Sequence, residues 1–65
     1  MSDIPKDFAE ALKQDGLWPF FIDCTPSHQR EYLKWIGEAK KPETRQRRIE
    51  QAVERIAAKK KEEEG

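Results

Sequence analysis

Two Xaa-Pro junctions, Thr25-Pro26 and Lys41-Pro42, constrain this chain more than anything else in it. Proline is welcome at the first helical position, where the missing N–H would have no partner and its fixed φ is already helical. Thr25 is also a good N-cap. The residue before a proline is biased out of the helical region, so Lys41-Pro42 ends one helix as it begins another. The interval between the junctions therefore holds one helix, from Pro26 to about Lys40, and a connection of a few residues. The next helix runs from Pro42 to about Lys59, and the pair must form a hairpin or a steep corner.

Apolar spacing orients these helices. At ~100° per residue, Tyr32, Leu33, Ile36 and Ala39 share one face of the first, with Trp35 at its edge and Arg30, Lys34 and Glu38 outside. Gly37 marks a weak point or a close contact. In the second, Ile49, Ala52, Val53, Ile56 and Ala57 follow the i, i+3, i+4, i+7, i+8 pattern of a half-buried helix.

Upstream, Ile4, Phe8, Ala11 and Leu12 make a stripe for a helix over 4–14, with Ser2 or Asp3 as cap, Pro5 in the first turn and Gly16 as the stop. Leu17-Trp18-Pro19-Phe20-Phe21-Ile22 is apolar all round, but no other segment reads as a strand to pair with it. A short helix or turn beginning at Pro19 fits better, sending Trp18, Phe20 or Phe21, and Ile22 into the core. The expected fold is all-α, a small bundle of three main helices plus one short apolar helix. A single domain over 1–59 is followed by a disordered charged tail over 60–65.

With 65 residues, the chain has room for one small core. Each large apolar side chain contributes about 1.5–3 kcal/mol if fully buried, so stability is expected to be marginal. Charged residues are 40% of the sequence and the formal net charge is zero, which gives no bulk attraction to nucleic acid or membrane. The distribution is polarised. Residues 1–39 carry four basic and seven acidic residues, a net of −3; residues 40–61 carry nine and three, a net of +6; Glu62, Glu63 and Glu64 close the count at −3. One cysteine, Cys24, permits no intrachain disulfide and suits a reducing compartment. The N-terminus does not read as a signal peptide and no run is long enough to span a membrane, so the expected location is cytoplasmic.

Catalytic and cofactor patterns are missing from the sequence. Cys24 and His28 are four apart, as two metal ligands could be, but zinc needs three or four and no other Cys or His occurs. Ser27 and His28 are adjacent and diverge on a helix, so they make no nucleophile–base pair. The glycines are isolated, and so small a chain offers little volume for a substrate pocket. No enzyme activity, cofactor or metal is expected. The strongest functional signal is basic: Lys40, Lys41, Arg45, Arg47 and Arg48 surround a helix N-terminus, where the dipole already disfavours cations and exposed N–H groups invite an anion. Glu43 offsets part of this, and a Glu43–Arg47 pair would offset more. Around the last helix, Lys41, Arg48, Arg55 and Lys59 fall on one flank of the apolar stripe and Glu43, Glu50 and Glu54 on the other.

This points to a non-enzymatic interaction module that binds an acidic or phosphate-bearing partner, most simply a protein, through Lys41, Arg45, Arg47 and Arg48, with Trp35 as an aromatic anchor or a core residue. The alternative is a helix-turn-helix-like nucleic-acid binder with the last helix as reader; the acidic flank weighs against it. Oligomeric state is open, since spare aromatics could serve a dimer interface.

One run is distinctive: Tyr32-x-x-Trp35-Ile36, then Ala39-Lys40 and Pro42-Glu43-Thr44-Arg45 with Arg48-Ile49. Together with Pro5-Lys6-Asp7-Phe8, Ala11-Leu12, Phe21, Thr25-Pro26-Ser27 and Arg30-Glu31, it resembles the bacteriocin-protection, YdeI or OmpD-associated (OmdA-like) family of bacteria over about residues 5–57. Two departures are Lys59, where relatives often have glycine, and the bulk of Leu17-Trp18-Pro19. The resemblance implies an all-helical domain with no established catalytic mechanism, linked by name to bacteriocin protection and porin association.

Overall fold

The computed structural model describes residues 4–64. Four helices follow one another: α1 (Lys6–Gln14), α2 (Trp18–Ile22), α3 (Pro26–Gly37) and α4 (Pro42–Glu64). Among the described residues there is no strand. The long α4 packs against both α3 and α1, and α1 packs on α2. The core lies where they meet. It consists of Phe8 and Leu12 from α1, Leu17 before α2, Phe21 from α2, Ile36 from α3, and Ile49, Ala52, Val53 and Ile56 from α4. Phe21 is its hinge point, edge-on to Phe8 at 5.2 Å and to Tyr32 at 6.2 Å between ring centroids.

The expected starts of α3 and α4 are borne out. Thr25 is the N-cap of α3, its Oγ1 accepting from the His28 N–H at 3.4 Å. Pro42 opens α4, whose first turn is closed by the Arg45 N–H donating to the Lys41 carbonyl at 2.9 Å. The expected stop at Gly16 is borne out too. Gly16 has φ +67°; its N–H reaches the Lys13 carbonyl and the Leu17 N–H reaches that of Leu12. This is a Schellman closure, with Leu12 and Leu17 making its apolar contact inside the core. At the other end, α1 begins at Lys6 rather than at the expected residue 4, and Pro5 is its N-cap with an extended ψ of 144° rather than part of the first turn; the expected caps Ser2 and Asp3 lie outside the described residues.

Several expectations are corrected. Of the apolar run, Phe21 and the preceding Leu17 are buried; Trp18 and Phe20 are partly buried and pack against the core. Ile22 is 43% exposed. In a five-residue helix, Leu17 and Phe21 share one face by i, i+4 spacing, which turns Ile22 ~100° away. The third helix ends at Gly37, three residues before the expected Lys40, and leaves 38–41 as the connection. Tyr32 and Leu33 border the core without being enclosed. The last helix does not stop at Lys59. It continues through the stretch expected to be a disordered tail, as far as Glu64. Ala, Lys and Glu are strong helix formers, and Lys60 pairs with Glu64 one turn on at 3.7 Å.

Candidate functional site

The basic residues around the α3–α4 corner do not act as one cluster. Arg45 reaches across to α1, where its Nε donates to Asp7 Oδ2 at 2.8 Å and its Nη2 to Oδ1 at 3.2 Å, a two-point ion pair. The Asp7 carboxylate also accepts the Phe8 N–H in the first turn of α1. The Arg45 hydrogen bond holds the Asp7 carboxyl below the usual carboxylate range, and Asp7 in turn raises Arg45. Arg48 turns toward α3. Its Nη1 donates to the Trp35 carbonyl at 2.7 Å, satisfying one of the orphan acceptors at the end of that helix. Lys41 is exposed at the N-cap of α4. Arg47 is exposed on the opposite edge of α4, beside Glu43, Gln46 and Glu50. The expected Glu43–Arg47 pair is not formed: among the described residues the ion pairs are Arg45–Asp7 and Lys60–Glu64.

What the structure does bring together is the basic flank of α4 and the aromatic edge of α3. The Arg48 guanidinium carbon lies 5.4 Å from the centre of a Trp35 ring and that of Arg55 lies 5.5 Å away. Trp35 is thus half-buried between helices with two cations on its π system. One turn past Arg55, Lys59 Nζ approaches His28 Nδ1 at 3.5 Å. Arg48, Arg55 and Lys59 therefore form the edge of α4 that faces α3, and Lys41, just before the helix, falls on the same flank of the helical wheel. Glu43, Glu50 and Glu54 lie on the other edge, where Glu50 and Glu54 join Asp15 around a shallow depression between α1 and α4; Glu63 stands on the basic edge, beside Lys59.

Between α2, α3 and α4 runs a groove of about 280 Å³. Phe20, Tyr32, Trp35 and Ile56 give it apolar walls, Arg55 and Lys59 a cationic rim, and Glu31 one carboxylate; Cys24 and His28 complete its lining. Sequence reasoning did not find this groove. The wheel had singled out Arg55 and Lys59, but not the surface they would face. The Cys24 thiol donates to the Phe20 carbonyl at 3.4 Å, and burial pushes its pKa up, so the group is held as the less nucleophilic thiol. No group of three metal-ligating side chains forms among the described residues.

The distinctive run of the sequence thus maps onto one structural device. Tyr32, Trp35 and Ile36 are the α3 side of the groove and core, Pro42 starts α4, Arg45 ties it to Asp7, and Arg48 caps α3. The family model for bacteriocin-protection, YdeI or OmpD-associated proteins matches residues 1–59. The chain belongs to that family. No curated protein and no solved structure matches it. Several of the residues that carry the family resemblance are structural here. Asp7, Arg45 and Arg48 hold helices together, while Trp35 stands at the border between packing and surface. No helix among the described residues is long and apolar enough to cross a membrane.

Proposed function

We propose that this family member is a non-enzymatic interaction module that captures an acidic partner along the α3-facing edge of α4. The observation that carries it is the segregation of charge on that helix. Lys41, Arg48, Arg55 and Lys59 line one edge, and among the described residues none has a carboxylate within ion-pair distance. Four cations on one edge without a paired carboxylate repel one another and are relieved by an incoming anion. Arg48 is partly committed to Trp35, so Lys41, Arg55 and Lys59 do most of the capture. Arg45 acts as a brace, and Arg47, on the far edge beside glutamates, contributes little. The family description names bacteriocin protection and association with OmpD; capture of a partner protein is compatible with both.

The experiment is retention on immobilised polyglutamate against duplex DNA at graded salt. Polyglutamate should hold the wild type at low salt, and Lys41→Gln, Arg55→Gln and Lys59→Gln together should weaken retention at least tenfold. Arg47→Gln should leave it within twofold. Equal retention of the triple variant would sink the proposal. Preferential retention on DNA, with a steep salt dependence, would instead select the helix-turn-helix reading.

A further inference from the structure

The groove and the basic edge share one surface, and together they define a partner more narrowly than charge does. Building on the reading above, we propose that the α2–α3–α4 groove is a peptide-docking site. Its occupant is a short acidic segment of a partner protein that carries one large apolar anchor side chain.

The apolar walls call for the anchor. Phe20, Tyr32 and Trp35 are left partly exposed in a concavity above buried Ile56. A concave aromatic surface gains most when one side chain seats in it and expels water. The volume of about 280 Å³ sits below the roughly 300–1,000 Å³ of sites that enclose a whole small molecule; it suits one anchor rather than a cofactor. The cationic rim calls for the acid. Arg55 holds its guanidinium carbon 5.5 Å from the Trp35 ring centre and has five N–H donors, so it can meet a carboxylate from there, and Lys59 stands one turn further on.

Glu31 decides between polypeptide and polyanion. It is exposed on the α3 wall, across the groove from the cations. A peptide offers backbone N–H donors to Glu31 and side-chain carboxylates to Arg55 and Lys59. A phosphodiester chain presents negative oxygens along its length and meets Glu31 as a like charge.

Fluorescence anisotropy at low salt tests this with two labelled octapeptides, both glutamate-rich, one with a central tryptophan and one with a central alanine. The anchored peptide should bind at least tenfold more tightly. Arg55→Glu with Lys59→Glu should weaken it at least tenfold, while Arg47→Gln, on the opposite edge of α4, should change it less than twofold. Circular dichroism confirms the fold of each variant; should the charge reversals unfold, Arg55→Gln with Lys59→Gln gives the same reading. On binding, the Trp35 indole N–H resonance should shift in a ¹H–¹⁵N spectrum and that of Trp18 should not. Equal affinity for the two peptides overturns the groove while leaving capture by the basic edge standing. If neither peptide binds and polyglutamate is not retained either, both readings fall. Self-association of the chain in sedimentation that Glu50→Lys with Glu54→Lys abolishes would make a second copy the occupant and overturn the proposal.

Discussion

Two glycines that look alike in sequence have opposite roles. Gly16 sits at φ +67° with no atom within 4 Å of where a Cβ would lie, so substitution there meets backbone strain alone. Gly16→Ala should destabilise by about 1–2 kcal/mol, the cost of a left-handed residue with a Cβ. Gly37 ends α3 with ordinary φ and the same open space. Here the backbone freedom of glycine in the unfolded chain is a pure loss, and Gly37→Ala should stabilise by about 0.5–1 kcal/mol. Thermal melts read both, since about 1 kcal/mol moves the midpoint of so small a domain by roughly 4–8 °C. The sequence left open whether Gly37 was a weak point or a close contact; the empty space around it decides for the former.

Among the elements, the α3–α4 corner shows how a basic residue can serve the fold. A helix ending leaves carbonyls without partners, and Arg48 supplies a charged donor to that of Trp35 while lying over the ring. Arg48→Met keeps much of the stem and removes both interactions. It should cost about 1–2 kcal/mol in chemical denaturation, from the hydrogen bond and the cation–π contact together. Arg55→Met, which loses only the cation–π contact, should cost less than about 1 kcal/mol. Arg48 and Arg45 are braces, and a binding test that removes them confounds binding with stability.

For the whole molecule, the Asp7–Arg45 pair spans 38 residues and ties the first helix to the last. Its side chains are 46% and 30% exposed, so solvent screens it and it is worth about 0.2–1 kcal/mol. Its pH dependence has a definite sign. The folded Asp7 carboxyl is depressed relative to the ~3.9 of an unfolded aspartate. The stabilisation is therefore fully present above that value and is lost as pH falls through the lower folded value. Asp7→Asn should lower the melting temperature by a constant amount above about pH 5, and that difference should shrink below pH 4. High salt should shrink it as well.

Local chemistry made much of this protein legible from sequence. Thr25-Pro26, Lys41-Pro42 and Gly16 act through their own backbone geometry, and the Ile49 to Ala57 stripe follows from helical period alone, so the helix starts, the first stop and the buried face of α4 could be read directly. The sequence could not choose between Phe20 and Phe21, and it wrongly sent Ile22 inward, because a six-residue apolar run has no polar face to orient it; packing against Phe8 and Tyr32 selected Phe21. Nor could it say that Lys60–Glu64 continues the helix, since solvated Lys and Glu suit a helix and a frayed end equally by pattern. The basic cluster was visible, but its division was not. Whether an arginine meets a carboxylate, a helix-end carbonyl or an indole depends on which surface lies opposite, and that surface is supplied by α1 and α3. Only the tertiary structure turned Arg45 and Arg48 inward and set Arg55 and Lys59 along an aromatic groove.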